Sequence, residues 1–189
     1  DVDLFRAGLD PIAHANRLGA LLIQFPSSFH ATEDAQAYVS WLLTAFRDYP
    51  RAVEFRHKSW ADPATQTVAL LDDTGAALVE IDEPFAQLRQ GSGEAGAIQR
   101  TRAPLAYFRL HGRNQAQWWE HEHAEDRYNY LYGDAELQPV ADAALAEAAL
   151  EKRVLVYFNN HFSAKAVANA DILKQQVGEL APDWTLRPY

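Results

Sequence analysis

The sequence predicts an α/β fold in which helices cover a parallel β-sheet. Five short apolar runs of strand length recur along the chain, and helical patterns separate most of them. Strands that alternate with helices are joined by crossover connections, and such connections make neighbouring strands parallel. The chain has 189 residues, of which 48% are hydrophobic and 23% charged, so it can form one domain, residues 1–189, with a sizeable core.

The predicted strands are rich in Val, Leu, Ile, Phe and Tyr, which are the residues that favour strands. They cover residues 20–25, 52–56, 76–82, 106–111 and 154–160. Apolar residues at helical spacing predict a helix over residues 34–48, between the first two strands.

Capping residues predict where the other helices begin and end. Asp62 is a suitable N-cap, Pro63 suits the first helical position, and Gly75 follows the last turn of that helix. The Ala-rich residues 139–152 predict a further helix. The sequence also predicts that Ser163 caps a helix running from residue 164 to about 180.

Two connections are unusually long. Residues 84–104 contain several Gly and predict a loose loop, whereas residues 112–138 are rich in Trp and Tyr. Because large aromatic side chains are costly to leave in water, we expect the second segment to be ordered as a lid over or beside the strand ends. Trp118 or Trp119 would form a pocket wall, and Arg113 would point at the ligand. The alternative is that the segment packs on the outer helices.

The charge and composition narrow the classes of partner. The net charge of −9 disfavours nucleic acid and anionic membranes, so a small-molecule ligand is the expected partner. There is no Cys, which excludes disulfides and thiolate metal sites. No apolar run reaches the length of a membrane span and no signal-peptide pattern is present, so a cytoplasmic location is predicted. The oligomeric state stays open.

Polar residues collect towards the carboxyl ends of the predicted strands. Since side chains alternate along a strand, one face of each strand can stay apolar while the other becomes polar. The apolar face, with Phe55, Ile81 and Phe158, would meet the helices. In a closed parallel barrel the polar face would line the mouth where active sites lie. The residues expected to converge there are Gln24, Glu54, Arg56, Asp82, Arg109, His111 and Asn159. The alternative is a structural network of mutually neutralising charges.

Four segments resemble signature segments of a known family. These are "LGALLIQFPSSF", "RAVEFRHKSW", "YFRLHGRN" and "VYFNNHFSAKAVANA". They are similar to motifs of the YecE-like family, domain of unknown function 72, in family order from about Leu18 to Leu173. The resemblance implies a TIM-type (β/α) barrel but no function.

The family's amino-terminal third has no counterpart here, and the chain neither begins with Met nor contains one. Because eight strands close such a barrel, about five of its eight β/α units are expected, as strands four to eight. The open alternative is a flavodoxin-like sheet of five strands.

The polar residues suggest acid–base chemistry on a small hydrophilic substrate that is anionic or sugar-like. The predicted catalytic groups are Glu54, Asp82 and His111, because carboxylates and imidazoles transfer protons. The predicted substrate-binding residues are Gln24, Arg56, His57, Arg109, Arg113, Asn159 and Asn160. The alternative is a non-catalytic ligand-binding or regulatory barrel that uses the same pocket.

A cofactor is not identified by the sequence. Carboxylates with several His could hold a divalent metal, but no tight ligand spacing occurs, so no metal ligand is assigned. His121 and His123 lie two residues apart among Glu residues, which is consistent with a metal site but more typical of a solvated loop. His161 could be a general base or a metal ligand. The predicted helix start beside it could bind an anion, to which Lys165 would add charge.

Overall fold

The structure is a computed structural model that describes residues 1–62, 65–84, 100–120, 122–123 and 125–181. Within these residues the helices are α1 Val2–His14, α2 Glu33–Ala45, α3 Thr67–Thr74, α4 Asp134–Ala148 and α5 Lys165–Leu180. The strands are β1 Leu21–Phe25, β2 Arg51–Phe55, β3 Ala77–Asp82, β4 Leu105–Leu110 and β5 Arg153–Phe158. All five predicted strands are therefore confirmed, with small shifts at their ends.

The strands form one parallel sheet in the order β1-β2-β3-β4-β5. Each strand lies beside the next strand of the chain, as in a (β/α) barrel. An open flavodoxin-like sheet reverses its strand order at a switch point instead. The alternative of a flavodoxin-like sheet is therefore wrong.

The chain divides into two compact units. Unit 1 comprises Asp1–Val79 and Gln99–Tyr107, and unit 2 comprises Glu80–Ile98 and Phe108–Tyr189. The predicted loose loop at residues 84–104 lies largely outside the described residues. In the part of the chain that is described, no helix has both the length and the apolar character that a membrane crossing requires.

The core of unit 1 lies between β1, β2 and the helices α2 and α3. Phe25 and Val53 pack with Val39 and Leu43 of α2 and with Leu71 of α3. This arrangement confirms that Phe55, which packs against the same core, is on the helix-facing side.

The face assignment of β3 needs a correction. Leu78 is the register partner of Val53 and packs against the unit 1 core. Alternation then places Val79 and Ile81 on the other side of the strand. The prediction that Ile81 faces the helices is therefore wrong. Strands of a parallel sheet are buried on both faces, so apolar character alone does not identify the side that meets the helices.

Two helix assignments in unit 1 also differ from the sequence prediction. Helix α1 was not predicted, because it buries no residue and contains Pro11. Helix α3 begins after Gln66, which has a left-handed backbone, whereas Asp62 ends a 3₁₀ turn. The predicted helix start at Pro63 lies outside the described residues, but the predicted end at Gly75, with φ of 69°, is confirmed.

In unit 2, α4 packs against α5 and β5. Helix α4 begins at Asp134, five residues before the predicted start, and it accommodates Pro139 in its second turn. Ser163 does not cap α5, because Ser163 and Ala164 both adopt left-handed backbone conformations and form a separate 3₁₀ turn. The helix itself ends at Leu180, as predicted.

Candidate functional site

The carboxyl ends of β3 and β4 carry a buried ion pair in unit 2. The Arg113 guanidinium donates to both carboxylate oxygens of Asp82, with Nε–Oδ1 at 2.9 Å and Nη2–Oδ2 at 2.7 Å. This forked geometry is the strongest form of carboxylate recognition by arginine. Burial lowers the pKa of Arg113, but the hydrogen bonds and charge of Asp82 outweigh burial and raise it above its usual range. Arg113 is therefore permanently charged.

Tyr132 makes a third hydrogen bond to the Asp82 carboxylate. Its hydroxyl donates to Asp82 Oδ1 at 2.8 Å and accepts from the backbone N–H of Gly112 at 2.8 Å. Burial and the adjacent Asp82 carboxylate raise the pKa of Tyr132 far above its usual range, so the hydroxyl keeps its proton. Tyr132 therefore ties the end of β3 to the chain that leaves β4.

Glu136 extends the ion pair to the start of α4. It accepts from Arg113 Nη1 at 3.1 Å, from the Tyr130 hydroxyl at 2.7 Å and from the Gly133 N–H at 2.9 Å. Burial alone would raise the pKa of Glu136, but the Gly133, Tyr130 and Arg113 contacts together lower it. Burial and the hydrogen bond to Glu136 raise the pKa of Tyr130 to about 12.

We call Asp82, Arg113, Tyr130, Tyr132 and Glu136 the Asp82 network. Its charges alternate in sign, and each carboxylate accepts at least three hydrogen bonds. A carboxylate held in this way is poorly suited to exchange protons, because protonation would break a charge-assisted contact. The network is suited to fix the chain between β4 and α4.

Asn160 and Asn169 also hold the segment between β4 and α4. Asn160 Nδ2 donates to the Tyr130 carbonyl at 2.8 Å and to Asn169 Oδ1 at 2.7 Å. Asn169 of α5 also pairs with both backbone groups of Tyr132. Both asparagines are fully buried. Asn160, predicted to bind substrate, therefore bonds to backbone and side-chain groups of the protein itself.

A second group of side chains surrounds the ring of Tyr128. The ring centroid lies 5.5 Å from that of His161, 6.3 Å from that of His111 and 6.3 Å from that of Trp118. The Arg127 guanidinium lies 5.9 Å from the same centroid. We call these five residues the Tyr128 cluster. His111 and Trp118 are buried, whereas His161 is exposed.

The protonation of His161 follows from its hydrogen bond. His161 Nδ1 lies 2.9 Å from the carbonyl oxygen of Asn159. A carbonyl can only accept, so Nδ1 carries the hydrogen and Nε2 holds the lone pair in the neutral ring. An exposed imidazole with this tautomer can accept a proton through Nε2.

Three other polar residues of unit 2 that the sequence indicated differ in their contacts and burial. Lys165 donates to Asn129 Oδ1 and lies 5.7 Å from the centroid of the Phe162 ring. The Asn159 backbone N–H donates to Leu110 in the sheet, and its side chain is half-buried. Arg109 is half-buried in β4.

The remaining predicted site residues lie in unit 1. Gln24 and Glu54 are register partners at the ends of β1 and β2. Glu54 is fully buried and forms an ion pair with Arg56, whereas Gln24 is exposed. His57 begins the 3₁₀ turn Lys58–Ala61 that follows β2. That these residues and those of unit 2 form one pocket stays a prediction.

The predicted site residues include Asp82 and Arg113 but not Tyr132 and Glu136, the side chains that bond to them. Tyr132 was predicted only as part of the aromatic segment, and no role was predicted for Glu136. The capping pattern from Gly133 to Glu136 could have indicated Glu136. No local signal could have paired Tyr132 with Asp82, because they are 50 residues apart.

The predicted lid stays a prediction, but three of its residues can be placed. Trp118 is buried against Tyr128, and Trp119 is 75% exposed. Arg113, expected to point at a ligand, is engaged by the two carboxylates of the Asp82 network.

Among the described residues, no three His, Asp or Glu side chains group as a metal ion would require. His121 lies outside the described residues. An open groove of about 350 Å³ lies between α2 and α3 in unit 1, and it contains no predicted site residue.

Three comparisons identify relatives. The sequence is 30% identical over 190 residues to the UPF0759 protein YunF of Bacillus subtilis (strain 168), covering 95% of this chain and 66% of that protein. The fold is similar to the crystal structure of a DUF72 family protein of Enterococcus faecalis V583, with a TM-score of 0.81 and 27% identity, covering 100% of this chain and 68% of that one. It is also similar to a DUF72 family protein of Thermotoga maritima MSB8, with a TM-score of 0.75 and 31% identity, covering 96% of this chain and 65% of that one.

The chain thus spans about two thirds of the length of these relatives. The similarity confirms the resemblance inferred from the four motifs and the (β/α) character of the fold. The sequence model of one family, described as "Protein of unknown function DUF72", matches residues 1–188. This chain therefore belongs to the DUF72 family.

Proposed function

We propose that this protein is an enzyme that acts by acid–base chemistry on a small hydrophilic substrate at the carboxyl ends of β4 and β5. The observation that carries the proposal is the tautomer of His161. Its Nδ1–H is held by the Asn159 carbonyl, so the exposed Nε2 is left as the proton acceptor.

The groups around His161 favour an anionic or sugar-like substrate. The Tyr128 ring offers an aromatic face, and such a face can pack against the apolar face of a sugar. Arg127 adds a positive charge beside that ring, and the half-buried Asn159 amide offers both a donor and an acceptor. His111, buried beside Tyr128, is suited to orient a substrate or to relay a proton.

In this proposal the carboxylates predicted as acid and base have supporting roles. Asp82 is bonded to Arg113 and Tyr132, and Glu54 to Arg56. Such pairs hold the backbone at the strand ends in a fixed position, which an active site needs if its groups are to be preorganised.

The first test is a screen of polar metabolites by ligand-observed NMR on the whole protein, followed by assays for turnover. For a compound that is turned over, we expect His161→Gln to lower kcat by about 10²-fold or more, which is the usual contribution of a general base. The wild-type rate should also fall in acid, since a protonated imidazole cannot accept a proton.

The matched control is His14→Gln, which changes an exposed histidine of α1 in the other unit. It should leave kcat unchanged. Unchanged kcat in His161→Gln as well, with the acidic limb of the pH profile retained, would reject His161 as the base.

A second candidate is a non-catalytic ligand-binding protein. The closed Asp82 network, in which Arg113 engages both carboxylates, favours it, because such networks fix a structure without offering a free acid or base. Binding of a metabolite that shifts resonances of Tyr128 and His161, without turnover of that compound under any condition, would support this candidate over the enzyme.

A further inference from the structure

A pair of stacked histidines lies at the carboxyl ends of β1 and β2 in unit 1. The rings of His30 and His57 are 3.7 Å apart at their centroids and 15° from parallel. Nearly parallel rings at this distance cannot both direct a nitrogen at one metal ion, because each metal–nitrogen bond lies in the plane of its ring. The pair therefore requires an explanation other than a metal site.

The tautomer of His57 is fixed by a backbone amide. The Ser59 N–H donates to His57 Nδ1 at 3.1 Å, and an amide N–H can only donate. The Ser59 hydroxyl lies 2.8 Å from the same nitrogen; because that nitrogen already acts as an acceptor, the hydroxyl donates to it, while the hydroxyl oxygen accepts from the Ala31 N–H. In the neutral ring the hydrogen is therefore on Nε2, for which the described residues provide no hydrogen-bond partner.

The surroundings of His57 disfavour its protonated form. Partial burial, the His30 ring and the Lys58 ammonium together lower the pKa of His57 below its usual value of 6.5. These are the titratable and charged groups that face the ring. At neutral pH His57 is thus an uncharged donor, and its orientation is fixed on one side by Ser59 and on one face by His30.

The two short stretches that carry these histidines contain no acidic residue. Residues 26–31 and 56–61 contain no acidic residue, although the chain as a whole has 26 Asp and Glu. Lys58 adjoins His57 and is exposed, and the charge of Arg56 is matched by Glu54. Lys58 therefore adds a positive charge beside His57, where no carboxylate is among the charges that act on the ring, and positive charge attracts anions.

We propose that His57 binds an oxygen of a small anion, a carboxylate or a phosphate, through its Nε2–H, with His30 and Ser59 positioning the ring. This anion site belongs to unit 1, and it goes beyond the chemistry proposed at His161 in unit 2. A neutral imidazole held by a backbone amide is a known way of presenting a donor to a ligand oxygen without an acidic proton.

The test uses the whole protein with ¹⁵N-labelled histidine. The nitrogen shifts of His57 should report the Nε2–H tautomer at neutral pH, with a titration midpoint below the usual histidine value of 6.5. The exposed His14 serves as the reference for non-specific effects of the added salts. Acetate and inorganic phosphate are then added separately, with chloride as the control at equal ionic strength. The anion that is recognised should raise the midpoint of His57 and leave that of His14 unchanged, because an anion stabilises the protonated ring.

By the same coupling, affinity for that anion should rise as the pH falls through the raised midpoint. His57→Phe keeps an aromatic ring beside His30 but removes the donor. It should weaken binding by about tenfold or more, as expected for a hydrogen bond to a charged group.

An Nδ1–H tautomer would overturn the proposal. So would a midpoint that neither acetate nor phosphate moves. If His57→Phe does not fold, the titration of the wild-type protein still decides the outcome.

Discussion

Tyr132→Phe tests whether the Asp82 network holds the chain between β4 and α4. The substitution removes one oxygen atom and keeps the ring, which packs edge-on against Tyr130 at 5.0 Å. The hydroxyl has two partners, since it donates to Asp82 and accepts from Gly112. Its loss therefore affects a buried carboxylate and a buried amide at once.

The magnitude follows from these two contacts. A buried N–H without an acceptor costs about 1–3 kcal/mol, and a hydrogen bond to a charged group contributes about 1.5–3 kcal/mol. Asp82 keeps its two bonds to Arg113, so the lower part of the combined range applies. We expect a loss of about 3 kcal/mol in the free energy of unfolding. For a chain of this size that corresponds to a decrease in Tm of roughly 6–12 °C.

The assay is urea and thermal unfolding followed by circular dichroism. The matched control is Tyr38→Phe, since Tyr38 is 47% exposed and the described residues show no hydrogen bond to its hydroxyl. The control should stay within about 0.5 kcal/mol of the wild type. A loss below about 1 kcal/mol in Tyr132→Phe, relative to this control, would mean that Gly112 and Asp82 find other partners and that the network does not anchor the segment.

Two further predictions concern Gly112 and Glu136 in the same region. Gly112→Ala should destabilise the protein by about 1–3 kcal/mol in urea unfolding, because Gly112 has φ of 94° and an added Cβ would lie 2.8 Å from the Cβ of Tyr130. Gly8→Ala in α1, where nothing lies within 4 Å, should be neutral or stabilising, and an equal loss in both variants would refute the steric reasoning. The third prediction concerns Glu136, whose pKa is lowered from 4.5 on folding. Its contribution to stability is present above the unfolded pKa and is lost as the pH falls through the folded pKa, so the wild type should lose stability below about pH 4.5. Glu136→Gln should be less stable at pH 7 and should show a smaller loss on acidification; an identical pH profile would contradict the assignment.

Local sequence patterns predicted the strands well. The apolar runs that contain Val53 and Phe108 define elements within one or two residues of the observed strands, because burial in a parallel sheet requires continuous apolar character. The same property made the face of β3 hard to predict. Val79 and Leu78 are equally apolar, and only the register with Val53 shows which of them meets the helices.

Helix ends were less predictable where the backbone takes unusual conformations. Ser163 has the composition of an N-cap, but its φ of 51° directs the chain into a separate turn before α5. Gln66 similarly precedes α3 in a left-handed conformation that its residue type does not indicate. Tertiary contacts set these dihedral angles, so local propensity could not identify them.

The candidate site was predicted in part. Charged residues at strand ends indicated Asp82 and Arg113, but their partners come from the segment before α4 and from α4 itself. A hydrogen bond between residues far apart in the sequence produces no repeating pattern of residue types around either residue. The hydrogen bond that fixes the tautomer of His161 is likewise made to a carbonyl, which any residue at position 159 would supply.

The Asp82 network also bears on how the chain folds. Its contacts join residues separated by 23, 31 and 50 positions in the sequence. Closing loops of this length costs chain entropy before any contact forms, so such interactions assemble late. Interactions absent from the folding transition state slow unfolding and leave the folding rate nearly unchanged. The network should therefore act mainly on the lifetime of the native state, and its loss should appear as faster unfolding in stopped-flow experiments.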